Sequence, residues 1–396
     1  MHLCLSTAGT KVVWAIASSC HTLLEQRDFY PNFSTPTKMV ILHKLRILTV
    51  KFGMNDAKPK VTVVIINYNS GRYLSDCLRA LQEQRFREFQ VVVADNDSDD
   101  DSFAAAVQML KKESREGDLC IRLVESNENF GFAKANNLLV ADVRTPLFAL
   151  LNPDAVPDPD WLGNLVKAAC AHGDVAMFGS TQIRMQDVSR YDGVGDNYLV
   201  VGVPWRGGYG HPLGKIEGVY EVFSPCAAAA LYRTESFRSV GGFDDSYFCY
   251  GEDVDLGFRL RLSGQKCLQV ADAVVHHAGG ASSEGRDFAI FHGTRNMTWT
   301  FVKNMPGPIF FPLLPLHLLL LVMLVVRAVF RGQAGPTIRA IVASIRSLPR
   351  CWQVRRGIQS GRIAPIRDIA RALCWFPWYY LKRAPFELRR VSSSSK

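Results

Sequence analysis

Three apolar runs in the first half of the chain constrain its fold more than any other feature. They are Val61-Thr-Val-Val-Ile-Ile-Asn67, Phe89-Gln-Val-Val-Val-Ala-Asp95 and Leu147–Leu151, the last leading into Asn152-Pro-Asp154. Each is largely apolar, and each stops at Asn or Asp. Strands covered on both faces read this way, because neither set of alternating side chains meets water. Leu74, Cys77, Leu78 and Leu81 follow the first run at helical spacing, and Phe103–Lys112 follows the second. Ile121–Val124 is a further short strand, and Asn129-Phe-Gly-Phe-Ala-Lys-Ala-Asn-Asn137 enters a further helix. Alternating β and α units predict an α/β fold with a parallel sheet. In such sheets ligands bind beyond the carboxyl ends of the strands. The polar tips Asn67–Asn69, Asp95–Ser98 and Asn152–Asp154 all fall at that edge.

The tips exclude two common nucleotide sites. No G-x-G-x-x-G follows the first strand, and no G-x-x-x-x-G-K-[ST] occurs. A dinucleotide or P-loop reading therefore lacks its phosphate cradle. Asp95 and Asp154 cap two strands instead. Carboxylates with an imidazole can hold Mg²⁺ or Mn²⁺, which prefer hard oxygen donors. His276 and His277 end a short strand at Ala273-Val-Val-His-His-Ala-Gly-Gly280 and offer that imidazole. The ten cysteines show neither C-x-x-C nor zinc spacing, which suits buried thiols in a reducing compartment.

Further along, Trp161–Ala171 reads as a helix. Gly193–Gly218, rich in Gly and aromatics, reads as a long loop able to cover an acceptor site. Pro225-Cys-Ala-Ala-Ala-Ala-Leu231 reads as a small-residue strand or a close-packed segment. Cys249-Tyr-Gly-Glu-Asp-Val-Asp-Leu-Gly-Phe-Arg-Leu-Arg261 then puts Glu252, Asp253 and Asp255 within four positions. Like charges this close are costly unless something compensates them. On a helix Asp255 and Arg259 pair at i, i+4, while Glu252 and Asp253 sit at the favourable N-terminus. The bland alternative is an acidic first helical turn without function.

The ends of the chain differ in kind. Residues 1–58 carry no motif; the apolar run Val12–Ala17 lacks a cleavage site, and Met54 is a plausible start. Residues 1–53 are expected to be dispensable. Ile309–Val326 is 18 residues without a charge, near the lower limit for a membrane span, although a buried core helix has the same composition. From Arg327 onward 15 basic residues face 2 acids, so the tail holds +13 of charge in a chain of net +9. Basic residues interleaved with Trp352, Trp375, Phe376, Trp378, Tyr379 and Tyr380 suit a membrane interface. A nucleic-acid surface is the competing reading, and the adjoining apolar run favours lipid over it.

Seven segments occur in order: Val-Val-Ile-Ile-Asn-Tyr-Asn69, Ala-Asp-Asn-Asp-Ser98, Asn-Phe-Gly-Phe-Ala-Lys-Ala-Asn-Asn137, Leu-Leu-Asn-Pro-Asp154, Val-Gly-Gly-Phe-Asp244, Gly-Glu-Asp-Val-Asp255 and Val-His-His-Ala-Gly-Gly280. Together they resemble the inverting family 2 glycosyltransferases of the rhamnosyltransferase-like branch, from about Val61 to Asn304. The resemblance implies a GT-A type, Rossmann-like, mostly parallel sheet flanked by helices. It implies a nucleotide-sugar donor, held by Asn67, Tyr68, Asn69, Asp95, Asn96, Ser98, Gly131, Phe132, Asn136, Asn152 and Asp154. Asp154 stands in the family's D-x-D position as metal ligand, with Asn152 replacing the first Asp. His276 is the implied imidazole ligand of Mg²⁺ or Mn²⁺, with His277 second. Asp253 is the implied general base, with Glu252 and Asp255 completing the catalytic cluster and positioning acceptor and helix.

The resulting expectation is a leader over 1–58, a catalytic domain over 59–304 and a membrane-associated helical tail over 305–396. The enzyme would move a sugar, with rhamnose from dTDP-rhamnose the first choice, onto a glycan or lipid-linked acceptor at the cytoplasmic face of the membrane. It would not bind nucleic acid. A catalytically inactive, membrane-associated binding protein on the same fold is the alternative.

Overall fold

The computed structural model describes residues 45–52, 58–113, 119–214, 216–279, 285–385 and 389–390. The apolar runs form strands in the expected order. β1 (Leu45–Phe52) and β2 (Val61–Asn67) are followed by α1 (Tyr73–Gln82), β3 (Phe89–Asn96), α2 (Ser102–Glu113), β4 (Ile121–Ser126), α3 (Gly131–Ala141) and β5 (Leu147–Leu151). β2 lies parallel to both β3 and β5, and β3 lies parallel to β4. Every residue of β2 and β5 is buried, which is why their sequences do not alternate. Leu74, Cys77, Leu78 and Leu81 are the buried stripe of α1.

The second half is mixed rather than parallel. β6 (Ala155–Pro157), α4 (Trp161–Ala171) and β7 (Val175–Arg184) lead to β8 (Asp187–Gly193), β9 (Asp196–Leu199), β10 (Val203–Arg206), β11 (Val219–Val222) and β12 (Ala229–Arg233). α5 (Thr234–Ser239), α6 (Glu252–Leu262) and β13 (Lys266–His277) follow. The sheet continues β5-β12-β7-β13-β11, with β12 antiparallel to both neighbours and β13 parallel to β7. No helix separates Val175 from Ala229 to make the crossover that a parallel neighbour needs, so β12 enters reversed. Two reversals restore the direction. The carboxyl ends of β5, β7 and β13 and the amino end of β12 therefore share one edge.

Two sequence expectations are corrected here. Gly193–Gly218 is not a covering loop throughout: its first half holds the end of β8 and the β9–β10 hairpin, with Tyr198, Val203 and Trp205 buried. Its glycines supply turns, as at Gly202 (φ 97°), where the left-handed backbone favours glycine. The sheet does not begin at the expected residue 59: Leu45–Phe52, within the leader, is an edge strand beside β4. Val12–Ala17 and Met54 lie outside the described residues.

The boundary at 304/305 is not a domain boundary. α7 (Gly285–Asn304), α8 (Gly307–Phe330), α9 (Ala334–Arg346) and α10 (Leu348–Ser360) close on the sheet domain. One apolar cluster holds Tyr198, Tyr247 and Phe258 together with Phe301, Phe310, Cys351 and Leu373. Arg355 Nη1 donates to the carbonyls of Val302 (2.8 Å) and Met305 (2.6 Å), and Cys374 N donates to Tyr198 O (2.9 Å). α8 is long and apolar enough to cross a membrane, and only 22% of its most apolar 18-residue window is buried. Phe310, His317, Leu321 and Ala328 face the protein, whereas Phe311, Leu318, Leu319, Val322, Met323 and Val326 are exposed. A buried core helix is thereby excluded.

Candidate active site

The tips of β2 and β3 are locked together by hydrogen bonds. Asn67 Nδ2 donates to Asp95 Oδ1 (2.8 Å), Ser98 Oγ (3.1 Å) and Ser102 Oγ (2.9 Å), and Ser70 Oγ donates to Asn67 Oδ1. Asn67 is wholly buried, so its amide shapes the site rather than facing it. Asn69, at φ 49°, accepts from the Asp99 backbone N–H (2.7 Å) and holds the two tips in register. Asp95 also receives Ser98 N–H on Oδ2 (3.1 Å), which leaves that oxygen further acceptor capacity. Tyr68 and Ser98 are half-buried beside it. Asn96 Nδ2 donates to Asn129 Oδ1 (2.8 Å), which also receives Gly131 N–H (2.8 Å).

The Phe130-Gly131-Phe132 turn is a packing device. Gly131 has φ 72°, and a Cβ there would sit 2.6 Å from the Phe248 ring. Phe132 meets Phe243 edge to face, at 5.9 Å between centroids. Asn136 is turned inward onto the Phe132 carbonyl (2.9 Å) at 1% exposure, which corrects its expected place among the donor-binding residues. At that point of α3 the side chain faces the sheet.

The metal-type pair forms with the second-choice histidine. β6 runs antiparallel to β13 with Ala155 opposite His277, so Asp154 arrives beside that imidazole. His277 Nε2 lies 3.3 Å from Asp154 Oδ1, and Nδ1 lies 2.7 Å from Asp192 Oδ2. Burial alone would pull His277 down, but Asp154 and Asp192 outweigh it and push the imidazole up to about 9. His276 points to the other face of β13 and pairs with Asp158 at 3.2 Å. Adjacent strand residues face opposite ways, so only one of the two can reach Asp154. The expected ordering of His276 over His277 is corrected. The Asp154–His277 donor set of one carboxylate oxygen and one imidazole nitrogen fits Mg²⁺ or Mn²⁺ completed by water and phosphate oxygens.

The acidic cluster splits by burial. The loop before α6 holds Phe248 (φ 64°) and Tyr250 (φ 68°) in the left-handed region. Such strain costs on the order of 1–3 kcal/mol per residue and persists only where the surroundings enforce it. Asn296 of α7 enforces it, donating from Nδ2 to the carbonyls of Tyr247 (3.1 Å), Cys249 (2.8 Å) and Tyr250 (2.8 Å). Asp253, half-buried at the start of α6, accepts from Ala227 N (3.1 Å) and Val254 N (2.8 Å). The neighbouring Ala228 carbonyl receives Asn152 N–H (2.8 Å), so the Ala227-Ala228 backbone links Asp253 to the Asp154 turn. Burial, then Asp253, pushes Glu252 well above the usual carboxylate range; Asp196 is raised by the same two causes. Burial also raises Asp253, but the two backbone N–H groups oppose it. Of the three, Asp253 best keeps an anionic, reachable carboxylate.

Asp255 faces away from Asp253 and anchors α6, which agrees with the helix-positioning part of its expected role and corrects its grouping in one cluster with Asp253. It is wholly buried, bound to Arg259 Nε (2.8 Å), Lys303 Nζ (3.0 Å), Asn304 Nδ2 (2.8 Å) and Tyr247 Oη (3.1 Å). Position i+2 from Asp253 lies on the opposite side of the helix. Asp196 and Arg206 were concealed by the loop reading of Gly193–Gly218, and Asp192 lies just before it in a stretch the sequence left unassigned. Acids in the apolar, glycine-spaced run Tyr191–Leu199 were the available signal. Among the described residues, Asp196, Cys226 and Asp253 bring their ligand atoms within 4.8 Å. Burial pushes the Cys226 thiol up to about 12, which makes it a poor partner for a hard cation.

Residues 62–241 match the domain described as Glycosyl transferase family 2. Over 267 residues, 59% of this chain and 80% of the relative, the sequence is 31% identical to an N-acetylglucosaminyl-diphospho-decaprenol L-rhamnosyltransferase of Mycobacterium tuberculosis. It is 30% identical over 165 residues, 38% of this chain and 61% of the relative, to rhamnosyltransferase WbbL of Escherichia coli. Among solved structures, mannosyltransferase PcManGT of Pyrobaculum calidifontis, in complex with GDP-Man and Mn2+, is 20% identical, with 80% of this chain and 84% of that one covered and a TM-score of 0.47. The chain belongs to glycosyl transferase family 2, and it is a nucleotide-sugar-dependent glycosyltransferase.

Proposed function

We propose that this enzyme transfers L-rhamnose from dTDP-rhamnose to a hydroxyl of a sugar-diphospho-lipid, with inversion, in cell-envelope polysaccharide synthesis. The observation that carries the chemistry is the meeting of Asp154 and His277 at the same sheet edge as Asp253. The relative that this chain covers to 80% supports the choice of sugar and acceptor through its printed activity.

Asp253 takes the proton from the acceptor hydroxyl as its oxygen attacks the anomeric carbon. The bond from that carbon to the diphosphate oxygen breaks on the opposite face, and the nucleoside diphosphate leaves with the electron pair. The transition state has oxocarbenium character, as in glycoside hydrolysis. Proton removal in place contributes about 10²–10⁴-fold. Mg²⁺ or Mn²⁺, held by Asp154 and His277, would supply charge stabilisation at the diphosphate. Tyr68 and Asp95 hold the nucleoside, while Asn67, Asn69 and Ser98 hold the loops that carry them. A screen of nucleotide sugars by released nucleotide, with a GlcNAc-diphospho-lipid present, tests the proposal. Turnover with a UDP-hexose and none with dTDP-rhamnose would overturn the donor.

The acceptor reading puts the site at a membrane, and α8 supports in-plane attachment. α9, which follows α8, packs on α7, which precedes it, with Ser344 Oγ donating to Arg295 O at 3.4 Å. Both flanks of α8 thus return to one body, an arrangement that a crossing helix does not permit. The donor is a cytosolic metabolite class and the flanking arginines favour the cytoplasmic side. We therefore assign a monotopic position on that face.

A further inference from the structure

We propose that Asp192 is a positioning residue that acts through His277, fixing the imidazole so that Nε2 faces Asp154. The inference rests on the reading of Asp154 and His277 as the divalent-metal pair. An imidazole ligates through one nitrogen, and the hydrogen bond at the other selects its tautomer and ring angle. Here Nδ1 meets Asp192 Oδ2 at 2.7 Å, while Nε2 meets Asp154 Oδ1 at 3.3 Å. The shorter contact is the one behind the ring. Asp192 is 4% exposed and cannot itself meet substrate freely.

Asp192 is held by a second, charged partner on the same oxygen that meets His277. Arg206 Nη1 from β10 pairs with the same Oδ2. Arg206 reaches it across Gly193, where an added Cβ would sit 2.5 Å from the arginine Cγ and Cδ. Gly193 is therefore the opening that lets the guanidinium pass. Three strands, β8, β10 and β13, converge on one carboxylate, whose Oδ2 meets both the imidazole and the guanidinium. Nothing in the sequence segments that mark the family includes Asp192 or Arg206.

The test is Mn²⁺ binding to the full-length enzyme in the presence of dTDP, followed by the loss of the free-ion EPR signal, with thermal melts to confirm folding. Asp192→Ala is expected to weaken Mn²⁺ about 10–100-fold. Asp192→Asn, which keeps an acceptor oxygen for Nδ1–H, is expected to recover much of that loss. In a double-mutant cycle, Asp192→Ala is expected to cost little further affinity once His277→Ala is present, because its effect passes through that ring. Wild-type affinity in Asp192→Ala, or full additivity with His277→Ala, would overturn the proposal. If Asp192→Ala does not fold, Asp192→Ser, too short to reach Nδ1, decides in its place: weakened Mn²⁺ binding supports the role and unchanged affinity overturns it. Wild-type affinity in both Asp154→Ala and His277→Ala would instead remove the metal reading, and this inference with it.

Discussion

Asp253 differs from its acidic neighbours Glu252 and Asp196 chiefly in being reachable. Those two are almost wholly enclosed, and burial drives both toward the neutral form. Asp253 is half-buried and held by two backbone N–H groups. Asp253→Asn is therefore expected to lower kcat about 10²–10⁴-fold with nucleotide affinity nearly unchanged, as the amide keeps the shape but cannot take the proton. Transfer kinetics and dTDP titration check this, and near-wild-type transfer would move the base to Glu252 or Asp196. Asp154→Ala is expected to abolish transfer and its stimulation by Mg²⁺ or Mn²⁺. Undiminished wild-type turnover in excess EDTA would recast Asp154 as a hydrogen-bonding group. Both residues stood out in the sequence because the strand-end and helix-start positions are local. The selection of His277 over its neighbour was not local, since it depends on which face of β13 meets β6.

At the scale of elements, α6 is fixed to α7 by buried charge. Lys303 Nζ, 2% exposed, lies 2.7 Å from Asp244 and 3.0 Å from Asp255. Burial pushes both carboxyls up, yet Lys303 outweighs it, aided at Asp255 by Arg259, and holds both below the usual carboxylate range. Groups with depressed folded values contribute stability above the unfolded value, about 3.9 for Asp, and lose it as pH falls through the folded value. The melting temperature is thus expected to hold from neutral pH to about 4 with respect to this pair and to fall below it. Lys303→Met leaves the buried Asp255 and the half-buried Asp244 short of a counter-charge and is expected to cost about 3–5 kcal/mol. It should also shift the acid loss of stability to higher pH, read from melts between pH 3 and 7, values chosen to bracket about 3.9. A melt curve parallel to wild type would show that Asp244 and Asp255 are satisfied by their other partners. Asp255 and Arg259 were legible as an i, i+4 pair, but Lys303 lies far along the chain and only packing brings it in.

On the scale of the whole molecule, the helical tail is both a wall of the catalytic body and its apolar outer surface. Deleting residues 306–396 would remove Phe310, Cys351, Ile369 and Leu373 from the shared cluster, so loss of folding is the expected result rather than a free catalytic domain. The surface can be separated from the wall by point changes. Leu318→Glu with Val322→Glu, both exposed on α8, is expected to release the enzyme from anionic liposomes in co-sedimentation while its melting temperature stays near wild type. Liposome binding equal to wild type would place the attachment elsewhere. What the sequence by itself determined was the set of local structures: the buried strands and their polar ends, α1 and α4, the acidic start of α6 and the apolar length of α8. Each follows from side-chain periodicity or from a preference that acts over a few residues. Only the tertiary structure decided the reversed β12, the burial of Asp192 and Asp196 with Arg206 of the β9–β10 hairpin beside them, and the return of the tail onto the sheet domain. Those depend on which strand direction and which face meet between segments that are not neighbours in the chain, and no local preference carries that information.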